Sequence, residues 1–67
     1  MITIVANGKE RRVPASSTVE DLLRSLELHP RTVAVEHNRR ILERADYETT
    51  VLADGDQLEI VRFVQGG

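Results

Sequence analysis

The chain has 67 residues, a formal net charge of −2 and no cysteine, which bounds it to one domain near the lower size limit for an unaided core. Without cysteine there is no disulfide framework, no thiolate zinc site and no cysteine nucleophile. One Tyr, one Phe and an acidic balance argue against nucleic-acid binding, and no apolar run or basic leader suggests a membrane segment, so a soluble, cytoplasmic protein is expected. The apolar set is mostly Val, Ile and Leu. A small aliphatic core leaves little interior for a cofactor pocket, so the chain is expected not to be an enzyme and to bind no metal or cofactor itself.

The first element is a hairpin. Ile2, Thr3, Ile4 and Val5 are followed by Asn7-Gly8, a pair that tolerates the positive φ of a type I′ turn. Glu10 to Val13 form the return strand, closed by Pro14. A two-residue loop sets Ile2 opposite Val13 but Ile4 opposite Arg11, and the register stays open on sequence alone. In "SSTVEDLLRSLEL" the residues Val19, Leu22, Leu23 and Leu26 fall at i, i+3, i+4 and i+7, one apolar helix stripe. Ser17 with Glu20, or Thr18 with Asp21, has capping-box spacing at its start. Pro30, which pushes His29 out of helical geometry, is expected to end it.

"TVAVEHNRRIL" is extended again, Val33 and Val35 alternating with Ala34 and Glu36, with a turn at His37-Asn38-Arg39 and a short strand from Arg40 to Leu42. An irregular segment follows, then Thr49 to Leu52, a turn at Asp54-Gly55-Asp56, and a last strand from Gln57 to Val64. Hairpin, crossover helix and further strands describe an α+β protein in which one sheet closes on the apolar face of one helix. The expected architecture is the ubiquitin-like β-grasp: a mixed sheet of four to five strands packed on one main helix. Residues 1–64 form the domain and 65–67 a flexible tail. The crossover rule sets the third strand parallel to the first if the two are central neighbours.

Period-2 alternation in the last strand puts Leu58, Ile60 and Val64 on the core side with Arg62, and Val61 and Phe63 on the other side with Glu59. Unless a bulge switches the phase, Val61 and Phe63 are left as a small apolar docking patch. Beyond it come Gln65, Gly66 and Gly67. Gly66 and Gly67 carry no side chain and pass a slot too narrow for a Cβ. The Gly67 carboxylate then becomes the one group able to enter another protein's active site. A free carboxylate is an unreactive acyl group, and the chain has no Gly-rich loop with Lys-Ser/Thr that would hold ATP. Any activation must come from a partner. With Gly near 7% of residues, chance alone gives a terminal Gly-Gly at about one chain end in two hundred, so the pair gains weight from what precedes it.

"TVEDLLRSL", "VAVEHNRRIL", "LADGDQLEIV" and the final "GG", in this order and at these spacings, resemble the ThiS family of thiamine-biosynthesis sulfur carriers. The resemblance runs over essentially all 67 residues. It implies a β-grasp protein whose terminal carboxylate, at Gly67, is adenylated at the expense of ATP by a ubiquitin-activating-like adenylyltransferase (ThiF) and converted to a thiocarboxylate. A sulfur donor protein would supply the sulfur, which then passes to thiazole synthase (ThiG). Gly66 and Gln65 would be the threading tail and Val61 and Phe63 the partner contacts. Many relatives have Asn-Gly and then Ile-Val-Pro-Arg after the third strand, where this chain has Asn38-Arg39-Arg40-Ile41-Leu42. Two other readings keep the fold: the small subunit of molybdopterin synthase, typically longer, and a ubiquitin-like modifier joined to lysines.

The remaining polar residues have plainer readings. His29 and His37, eight apart in loop-like contexts, are expected to be solvated surface. Arg11-Arg12 and Arg39-Arg40 serve solubility. Asp54-Gly55-Asp56 is a turn and lacks the further oxygen ligands of a calcium loop. Tyr47 belongs to the core or its rim.

Overall fold

The structure is a computed structural model that describes residues 1–63. Asn7 and Gly8 take φ of 52° and 77° and fold β1 (Ile2–Ala6) onto β2 (Lys9–Val13). The pairing is Ile2 with Val13 and Ile4 with Arg11, the register a two-residue loop imposes. Ile4 and Val13 are both buried while Arg11 is half-buried at the sheet edge. The hairpin therefore tolerates a cation opposite a core residue.

The helix α1 (Val19–Ser25) starts at Thr18, and the capping box chosen is Thr18 with Asp21: the Asp21 amide donates to Thr18 Oγ1 at 3.1 Å and the Thr18 amide to Asp21 Oδ2 at 3.0 Å. Val19, Leu22 and Leu23 are its buried face. Pro30 does not end it. The Leu28 amide donates to Leu23 O and the Glu27 amide to Arg24 O, with Glu27 at φ 59°. That pattern is a Schellman motif, which satisfies the last carbonyls five residues before the proline exerts any effect. Pro30 instead opens a 3-10 turn, Pro30–Thr32, where the His29 ring accepts from the Arg31 amide.

β3 (Val33–His37), β4 (Arg40–Leu42) and β5 (Gln57–Arg62) complete a five-stranded sheet in the order β2-β1-β5-β3-β4. This is the ubiquitin-like β-grasp. The parallel neighbour of β1 is β5, paired at Val5 with Gln57 and Ala6 with Leu58, while β3 runs antiparallel to β5. The last strand inserts between the two that the crossover rule would have paired, so β3 is antiparallel to β1. Thr49 to Leu52 contribute a single bridge, Thr18 with Val51, rather than a strand. Ile4, Val19, Leu22, Leu23, Val33, Val35 and Leu58 are the most deeply buried side chains, between sheet and helix. Tyr47 is also buried, its hydroxyl donating to Val33 O at 3.4 Å. No helix among the described residues is long and apolar enough to cross a membrane.

Candidate functional site

The strand that leads to the tail is held on both sides. On one side Asn7, at the first turn, donates through Nδ2 to Ile60 O at 3.0 Å and accepts from the Ile60 amide through Oδ1 at 2.7 Å. Its side chain thereby imitates a backbone partner where β1 has ended. On the other side the five pairs from Val33–Arg62 to His37–Leu58 fix β5 to β3. At the final described residue, the Phe63 amide donates to Thr32 O at 2.9 Å. Thr32 is itself fastened to His29 O through both its amide and its hydroxyl. Phe63 is thus anchored to the 3-10 turn that follows the helix.

Alternation along β5 persists without a bulge. Leu58 and Ile60 are buried and Gln57, Glu59 and Val61 exposed. Val61 is 60% exposed and Phe63 50%. Ala34 lies opposite Val61, and Ile41, 80% exposed, opposes Glu36 on β4. The expected apolar patch of Val61 and Phe63 is therefore present on the sheet face away from the helix. Ile41 is exposed on the same face, across Glu36 and Glu59 from Val61, and the period-2 pattern of "RIL" held that signal. Gln65, Gly66 and Gly67, with Val64, lie outside the described residues.

The start of β5 carries a polar cluster that sequence reading missed. Asp56 is buried and accepts from the Ala53 amide at 2.8 Å, from Asn38 Nδ2 at 3.1 Å and from His37 Nε2 at 2.9 Å. Burial alone pushes its pKa up, but the hydrogen bonds from His37, Ala53 and Asn38, with the His37 charge, together hold the carboxyl below the ordinary value of 3.8. Asn38 also accepts from the Gln57 amide. His37 is accordingly half-buried and bonded rather than solvated surface. The neighbouring Asp54 accepts from the Thr3 amide at 2.8 Å. The Asp-Gly-Asp turn, with Gly55 at φ 87°, ties β1, the β3–β4 turn and β5 together. These acidic residues work inside the fold. Among the described residues no group of three or more His, Cys, Asp or Glu is placed to hold a metal ion.

Comparison with known proteins decides the family. The ThiS family model matches residues 2–67. The chain belongs to the ThiS family. It is 40% identical over 62 residues to the sulfur carrier protein ThiS of Bacillus subtilis, covering 91% of this chain and 94% of that one. The ThiS thiamine biosynthesis protein of Geobacter metallireducens superposes with a TM-score of 0.82 at 35% identity, covering 98% of this chain and 100% of that one. A thiazole synthase of Paramagnetospirillum magneticum is 48% identical over 64 residues, which is 96% of this chain and 20% of that protein. The ThiS-like chain thus spans about a fifth of the thiazole synthase it matches.

Proposed function

We propose that this chain is a sulfur carrier for thiazole formation in thiamine biosynthesis, with Gly67 as the residue that bears the sulfur. The observation that carries the reading is membership of the ThiS family through to the last residue matched, Gly67, beyond a strand whose end is anchored by the Phe63 amide on Thr32 O. A carboxylate oxygen of Gly67 attacks the α-phosphorus of ATP in a partner adenylyltransferase and releases pyrophosphate. The acyl-adenylate has AMP as its leaving group, and a sulfide equivalent from a sulfur donor protein displaces it to leave a thiocarboxylate. The work of this chain is to bind and to present: Gly66 and Gly67 offer no Cβ to a narrow channel, and Val61 and Phe63 contact the partner enzymes. Thiazole synthase is the acceptor of the sulfur, a reading supported by relatives that bear that name and contain this module.

The test is intact-mass spectrometry after incubation with ATP, a sulfur source and the activating enzyme. The full chain is expected to gain the mass of one oxygen-to-sulfur exchange, and a chain lacking Gly67 to gain nothing while keeping its circular dichroism. Thiocarboxylate on the truncated chain would overturn the assignment to Gly67.

A further inference from the structure

On the sheet face that carries Val61 and Phe63, Glu36 of β3 stands directly opposite Glu59 of β5. The flanking bonds, Asn38 amide to Gln57 O and Phe63 amide to Thr32 O, place this couple in the hydrogen-bonded register, where Cα atoms sit about 5.5 Å apart. Both side chains are exposed. Carboxylates facing each other across an antiparallel pair repel and lower stability. Among the described residues no Lys, Arg or His nitrogen lies within 4.0 Å of either carboxylate. Arg39 lines the hollow beside them without reaching them. The couple is flanked by Ile41, opposite Glu36 in the same row, and by Val61, two residues along β5. A basic counterpart at an interface would relieve this repulsion and gain a complementary charge.

We propose that Glu36 and Glu59 form an acidic clasp for a Lys or Arg on the surface of thiazole synthase, seated between the apolar contacts of Ile41 and Val61. The choice of occupant rests on the sulfur-carrier reading above. It also rests on the relatives in which this module makes up a fifth of a thiazole synthase, so that the remaining four fifths is the surface nearest at hand. Opposite charge across such an interface sets orientation and speeds encounter, and the apolar flank limits the solvent screening of the pair.

The clasp has a signature that a purely structural role lacks, because the free and bound protein respond in opposite directions. Glu59→Gln and Glu36→Gln should each raise the melting temperature of the free chain by about 1–3 °C, the effect of relieving a few tenths of a kcal/mol of repulsion in a domain this small. The same changes should weaken binding to the thiazole synthase of the same organism about fivefold to tenfold in ~50 mM salt, and the loss should shrink in ~500 mM salt. Calorimetric titration at the two salt concentrations reads both. Unchanged affinity in both variants, a loss insensitive to salt, or a fall in melting temperature would each overturn the clasp. Measuring thiocarboxylate formation on the same variants separates the two proposals: normal sulfur loading with unchanged thiazole synthase binding removes the clasp and leaves the carrier standing.

Discussion

Burial of a carboxylate normally favours its protonated form, and Asp56 keeps its charge because three donors converge on it, the Ala53 amide from its own turn and His37 and Asn38 from the end of β3 and the turn after it. A carboxyl whose folded pKa is depressed contributes stability above its unfolded pKa of about 3.9. That contribution is lost as pH falls through the folded value. Asp56→Asn replaces an acceptor oxygen with an NH₂ group that faces donors, so a loss of about 1–2 kcal/mol is expected at pH 7. The deficit should diminish in urea titrations below about pH 4, where the unfolded carboxyl takes up a proton first and the folded one follows only at lower pH. A deficit of the same size at pH 3 and pH 7 would show that the charge of Asp56 contributes nothing. Asn7 makes a comparable investment at the other edge of β5, with two bonds to Ile60. Asn7→Ala should destabilise by about 1–3 kcal/mol, since it leaves the part-buried Ile60 amide and carbonyl without these partners.

At the level of elements, two connections place charged residues where the backbone is left-handed. Glu27 closes the helix at φ 59° and Arg39 completes the β3–β4 turn at φ 70°, positions where glycine avoids a Cβ clash. Glu27→Gly and Arg39→Gly are each expected to stabilise the domain by about 0.5–1 kcal/mol, a rise visible in chemical denaturation. No gain from either would mean that the side chain compensates locally. The same two places explain what the sequence concealed. Asn7-Gly8 advertises its turn because both residues suit positive φ, and the helix stripe from Val19 to Leu26 advertises its face. Glu27 carries no such mark, so the Schellman end is not legible in the sequence, whereas Pro30 downstream is. The pairing of β1 with β5 was likewise hidden, because it depends on residues about fifty positions apart and on Asn7 imitating a strand. The exposed side of β5 was legible from alternation alone. Its opposition to Glu36 needed the register with β3, and only the folded sheet supplies that.

For the molecule as a whole, the proposed function assigns stability to the sheet and chemistry to Gly67. The core is closed by Leu58 and Ile60, and Phe63, the final described residue, is tied by its amide to Thr32 O. Nothing beyond Phe63 is required for those contacts. Changes beyond that residue should therefore alter reactivity without altering the domain, whereas changes at Glu36 and Glu59 on the outer sheet face should alter partner affinity and domain stability in opposite directions and leave sulfur loading unchanged. Adding a single alanine after Gly67 is the sharpest test of this separation. The added residue moves the carboxylate one residue further along and places a Cβ where the proposed function has only glycine. The extended chain should melt at the same temperature as the original and retain its affinity for thiazole synthase at the sheet face. It should gain no thiocarboxylate in the presence of ATP, sulfur source and activating enzyme. Sulfur loading at the original rate would mean that the partner does not measure where the chain stops, and the carrier reading would lose its chemical centre. A lowered melting temperature would mean that the tail packs on the domain, and the division between sheet and tail would fail.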